Sequence, residues 1–128
     1  MGVIYRPSLR TTRMNNVKTD IDSGAGAATL EIGNAGFASI LAVVTLADPC
    51  GSVTGDVLTL TMPQSDPSID LTGTAAEARI KESGGAIIVS GLTVGTVGTN
   101  VVVNSTSFVA GATFTISSAT ITHNTSGV

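Results

Sequence analysis

Beyond Gly26 this chain is written in short runs where apolar residues alternate with hydroxyl residues. That period of two constrains its fold more than any other feature. DVLTLTM, residues 56–62, is the cleanest case, with Leu58, Leu60 and Met62 on one face and Thr59 and Thr61 on the other. ATLEIG (28–33) alternates around Leu30 and Ile32, while FASILAVVTL (37–46) is apolar on both faces, as an interior strand is. ADPCG reads as a turn, and PQSDPSID, with Pro63 and Pro67, as a loop. TAAEARIKES (74–83) fits a strand closing at the Gly84-Gly85 turn, with a short helix as the alternative. AIIVSGLTVG, NVVVNST, ATFTISS and ATITH supply the remaining strands. Serine and threonine make up 32 of the 128 residues and stand mostly at alternate strand positions, where β-branching favours strand over helix. About eight strands at this spacing predict an all-β fold over residues 27–128, an antiparallel β-sandwich of jelly-roll type.

Residues 1–26 do not follow this pattern. Pro7 and Ser8 suit a helix start, neither Gly nor Pro then appears before Gly24, and the Ser23-Gly24-Ala25-Gly26 stretch reads as a stop. A helix over about 8–22, forming an N-terminal arm within residues 1–26, is therefore expected. The arm is also basic. Arg6, Arg10, Arg13 and Lys18 give residues 1–18 a net charge of +4, whereas residues 19–128 carry Arg79 and Lys81 against nine carboxylates, a net −7. Setting Leu9 at 0° and turning about 100° per residue, Arg13 falls at about 40°, Val17 at about 80°, Arg10 at about 100°, Ile21 at about 120°, Met14 at about 140° and Lys18 at about 180°. The opposite side holds Thr11, Thr12, Asn15, Asn16 and Thr19, all neutral. Basic and apolar residues thus share a face, unlike an ordinary amphipathic helix. Two readings of that face stand side by side. In one, the arginine stems flank an apolar stripe and reach solvent. In the other, Arg6, Leu9, Arg10, Arg13, Met14, Val17 and Lys18 bind an acidic surface of a neighbouring subunit or of another acidic partner, where the planar guanidinium pairs well with carboxylates.

Composition narrows the function classes. Tyr5, Phe37, Phe108 and Phe114 are the only aromatics, Trp is absent, and charged residues are 12% of the chain, about half the usual share. So few charges suit a protein kept in an assembly better than a concentrated free monomer. No aromatic platform for bases or sugars is apparent, and four dispersed basic residues are a weak footprint for nucleic acid. No apolar run reaches the length of a membrane span, and MGVIYRPS does not contain the apolar stretch of a secretory signal. Cys50 is alone, so it has no intramolecular disulfide partner.

Few residues offer chemistry. His123, the single histidine, reads as an exposed residue at a strand end, and it forms no ligand set with Cys50. A GxSxG elbow is missing. GAGAAT (24–29) lacks the third glycine of a dinucleotide loop and leads into a strand, while GNAG (33–36) and SGGA (83–86) read as hairpin turns. Asp48, Asp66 and Asp70 fall in turns, and the D-P-S-I-D spacing is too sparse for a calcium loop. The expectation is a non-enzyme with no catalytic residue, no metal and no cofactor.

SLRTTRMNNVKTDIDSGAGAATLEIG, the run FASILAVVTLADP and the closing FVAGATFTISSATIT together resemble a family of small tailed-bacteriophage virion proteins. The resemblance spans nearly the whole chain and carries no catalytic motif. It implies a structural protein present in many copies at the virion head surface, most simply a capsid decoration or cement protein. Such a protein binds the major capsid protein and copies of itself, as a dimer or trimer, without contacting nucleic acid, membrane or a small-molecule substrate. A head–tail neck adaptor, or a tail or fibre β-sandwich binding module, is the alternative. The scarcity of aromatics weighs against a sugar-binding tip.

Overall fold

The computed structural model describes residues 5–62, 64–66 and 68–123. The expected tail NTSGV lies outside the described residues. The arm is a helix, α1 (Pro7–Ile21), one residue ahead of the sequence boundaries at each end. Proline takes the first turn, where its missing N–H goes unneeded. Arg6 stands at the cap position without a side-chain bond, so Ser8 lies inside the first turn and does not cap it. At the far end Lys18 pairs with Asp22, its i+4 neighbour, at 3.2 Å.

Eleven strands follow among the described residues: β1 (Thr29–Gly33), β2 (Ile40–Thr45), β3 (Gly51–Thr54), β4 (Val57–Leu60), β5 (Gln64–Asp66), β6 (Gly73–Thr74), β7 (Glu77–Lys81), β8 (Ile87–Gly95), β9 (Val101–Val103), β10 (Ser107–Phe108) and β11 (Phe114–Thr122). Three differences from the sequence expectation have local causes. The run 37–46 starts its strand only at Ile40, because Ala35–Phe37 form a 3-10 turn with Gly36 and Phe37 both at positive φ. The PQSDPSID loop contains β5, which continues along the same side of β11 as β4: Thr120 faces Thr59, and Ile116 faces Gln64. One extra residue on the β4–β5 side accommodates the step, as in a bulge. Finally, ATFTISS and ATITH are one nine-residue strand, β11, shared among β9, β5 and β4.

Nine strands form a single curled sheet in the order β2-β1-β7-β8-β9-β11-β4-β3, with β5 beside β11, and β10 and β6 form a separate two-stranded ladder. The all-β class with a leading helix is what the chain adopts. The sheet is mixed, however, and not purely antiparallel: β8 and β9 run parallel, Val94 facing Val101. A parallel pair ordinarily needs a long crossover. Here five residues suffice, because Asn100 folds back over Thr93, accepting its backbone N–H at 3.1 Å and its hydroxyl at 3.0 Å. The β7–β8 ladder slips register around Gly91, whose φ of +74° is a conformation glycine takes without steric cost.

The curl brings β2 against β5, and the amides of Asp70 and Leu71 both donate to the Leu41 carbonyl there. Leu41, Ala42 and Val44 are buried as a result, although β2 ends the ladder. The core contains Leu30, Ile32, Leu58, Leu60, Ile80 and Ile116, with Phe108 packed on Phe114 at 4.8 Å between ring centroids. Leu58 and Leu60 point inward while Thr59 and Thr61 are exposed, as the alternation of DVLTLTM requires. Met14 and Ile21 of α1 belong to the same core, so helix and strands share one hydrophobic interior across residue 26.

Candidate assembly surface

The arm docks on its own chain. Met14 is 3% exposed, Ile21 is fully buried, and Val17 packs against the core between them. Their 3–4 residue spacing makes one stripe of the helix, laid over β3 and β4. Polar contacts fix both ends. Near the N-terminus the Thr11 hydroxyl donates to the Gly55 carbonyl at 2.6 Å, and Arg10 Nε reaches Asp56 Oδ2 at 3.3 Å. Arg10 Nη1 also donates to the Tyr5 carbonyl. The Arg13 guanidinium lies 4.4 Å from the centre of the Tyr5 ring, and Tyr5 meets His123 edge-on at 6.1 Å. The His123 amide donates to the Asp56 carbonyl at 2.8 Å. At the other end Asp22 Oδ1 accepts the Cys50 amide at 2.9 Å.

The seven arm residues expected at a partner therefore divide. Met14 and Val17 pack into or against the core, Arg10 pairs with Asp56, and Lys18 pairs with Asp22. Arg6, Leu9 and Arg13 remain on the exposed surface, and Leu9 is 40% exposed. Helical phase placed Leu9 and Arg13 in the apolar arc. The true centre of the buried stripe lies near Ile21 and Met14, which puts Leu9 and Arg13 at its margin. His123, expected to be exposed, is half-buried against Tyr5. Tyr5 and Asp56 were not singled out from the sequence, because only the fold brings the helix start, the β3–β4 turn and the end of β11 together.

A second polar cluster sits on the other face of β1. Glu31 is 8% exposed and directly faces Arg79 across the ladder to β7. Its carboxylate accepts Arg79 Nε at 2.6 Å and lies 3.3 Å from Lys81 Nζ, while Arg79 stacks on Phe37 at 4.3 Å. Glu31 thus separates two cations that would otherwise repel each other. Glu31→Ala should lower stability by about 1–3 kcal/mol, read as a fall in the urea midpoint with an unchanged slope. An unchanged midpoint would show the cluster to be energetically idle.

Cys50 is fully buried, and its thiol is pushed up from 9.0 to about 12, first by burial and then by the Asp22 carboxylate beside it. The thiolate is the reactive species, so Cys50 is held inert. Iodoacetamide should fail to label it in native protein at mildly alkaline pH and label it fully in denaturant; rapid native labelling would contradict the burial. A folded-state pKa above the unfolded value contributes stability fully present below about 9, lost as pH rises toward 12 at up to about 1.4 kcal/mol per pH unit. Cys50→Ala should flatten that alkaline decline.

Among the described residues no group of three or more His, Cys, Asp or Glu side chains is placed to hold a metal ion, and no helix is long and apolar enough to cross a membrane. Comparison with protein-family models, with curated proteins and with solved structures finds no match to this chain.

Proposed function

We propose that this chain is a non-enzymatic structural protein of a bacteriophage particle, a decoration or cement protein that binds the outside of the major capsid protein lattice and stabilises it. The observation that carries the reading is an uncharged surface. Residues 83–128 contain no Asp, Glu, Lys or Arg, yet they supply β8, β9 and β11, which are neighbours in the sheet. Exposed Ile87, Val97 and Val109 belong to the same stretch. A free protein keeps itself apart from its copies with mixed surface charge, and a surface without it suits a face covered by other protein. The sequence resemblance to small tailed-phage virion proteins supports the same assignment.

The test is quantitative mass spectrometry of purified particles, followed by addition of the protein to particles lacking it. Copy number in proportion to the capsid lattice, together with a raised thermal threshold for genome release on re-addition, is the expected result. Copies matching a single vertex ring would assign the chain to the neck instead. Absence from the particle would overturn the reading.

A further inference from the structure

The two ends of β11 present unlike surfaces. Beyond its C-terminal end lie Tyr5, the start of α1 and the β3–β4 turn, joined through Asp56 and His123. Arg6 and Arg13 are exposed there beside Leu9, and neither arginine has a carboxylate partner among the described residues. Asp56, the acidic residue of this end, is engaged by Arg10. The end is basic with an apolar centre.

The opposite end gathers other segments. The amide of Ile69 donates to the Ala112 carbonyl and that of Gly111 to the Ile69 carbonyl, which holds segment 69–72 beside the turn at 109–112, just before β11 begins. Glu77 opens β7 at the same end, facing Gly33. Segments 33–38, 68–77 and 104–114 contain no Lys or Arg; Arg79, which stacks on Phe37, is paired with Glu31, and the Glu77 carboxylate accepts the Gly36 amide, so Asp70 is the exposed carboxylate of this end. Asp70 is exposed, with Leu71 at 48% and Val109 at 55% exposure on these joined segments. This end is acidic with an apolar centre.

We propose that copies of this chain join head to tail, the Arg6–Leu9–Arg13 surface of one copy seating on the Asp70–Leu71–Val109 surface of the next. The inference rests on the reading of the chain as a structural subunit and names the contact between its copies. Charge complementarity selects the occupant. Either end against itself sets like charges face to face, whereas basic against acidic pairs the arginines with a carboxylate and covers Leu9, Leu71 and Val109 together. The two surfaces sit at opposite ends of a nine-residue strand, roughly 30 Å apart. A two-fold contact uses one surface twice and needs it to be self-complementary. Two different surfaces at opposite ends make a heterologous contact instead, which grows into a ring or an open stack.

The experiment uses the full-length chain in sedimentation velocity over a range of concentration and salt. Wild type should grow past the dimer with concentration and shrink back as salt rises. R6E/R13E removes one surface and D70N/V109N the other, and each should weaken association about tenfold or more. Because Arg13 also stacks on Tyr5, R6E/L9E repeats the first arm without disturbing that stack. The discriminating sample is an equimolar mixture of R6E/R13E and D70N/V109N, in which one intact surface remains on each partner and the two altered surfaces offer each other no opposite charge. It should form a heterodimer that grows no further. A wild-type chain that stays monomeric, or that stops at a closed dimer, overturns the contact, as does a mixture no different from its components. Particles that take up a chain which is monomeric in solution would sink the contact and leave the structural reading standing. Head-to-tail growth of a chain that no particle takes up would do the reverse.

Discussion

Ile21→Asp is expected to abolish cooperative thermal unfolding, and Ile21→Ala to destabilise by about 2–5 kcal/mol, a fall in Tm of roughly 6–25 °C for a domain of this size. Ile21 is fully buried at the end of α1, in one cluster with Met14 and the strand residues. Alanine leaves a cavity that the surrounding strands fill only in part. Aspartate adds an unpaired charge in a dry site, a cost well above the cavity alone. The control lies on the same helix. Leu9 is 40% exposed, and Leu9→Ala should stay within about 0.5 kcal/mol of wild type. Differential scanning calorimetry of the three variants checks the point. A small, equal effect at Ile21 and Leu9 would mean that the helix is an appendage and not part of the core. The same logic applies to a chain beginning at residue 23, which should expose the underside of β3 and β4 and bind a hydrophobic dye.

Phe108→Ala should cost about 3–5 kcal/mol, among the largest effects of any single truncation in this protein. Phe108 is the bulkiest fully buried side chain and one of only four aromatics. It packs on Phe114 and belongs to the short β6–β10 ladder, which has few backbone bonds of its own. Without the ring that ladder keeps the backbone bonds of its flanking residues to Leu41 and Gly33 but loses its bulkiest apolar anchor. Phe108→Leu keeps most of the volume and should cost less than half as much. Denaturant unfolding of both variants, with neighbouring Val109→Ala as the exposed reference, tests this. Equal losses for Ala and Leu would show that the site rejects shape change as such.

The alternation in residues 56–62 led directly to an observed inside and outside, because a period of two needs nothing beyond the strand itself. The helix boundaries were equally local, set by Pro7 and the glycines after Ser23. Features that local pattern leaves open depend on distant residues. Both readings of the basic face of α1 stay open in the letters, since no sequence signal says that Asp56 waits for Arg10 or Asp22 for Lys18 and Cys50. Glu31 is one polar residue in an apolar strand, and only the register of β1 on β7 places Arg79 and Lys81 beside it. The parallel β8–β9 pair was hidden for the same reason: its five-residue return depends on Asn100 closing onto Thr93.

Local backbone preference and side-chain period therefore determined, from sequence alone, that this protein is a β-domain with a leading helix and a hydroxyl-lined exterior. The charge contrast between its first residues and the remainder was likewise plain in the letters. Tertiary structure decided which of those charges are satisfied within the chain and which stay exposed. Pairing depends on positions dozens of residues apart, and only the curl of the sheet and the docking of the helix bring those positions within reach. That sorting left Arg6, Leu9 and Arg13 at one end of β11 and Asp70, Leu71 and Val109 at the other.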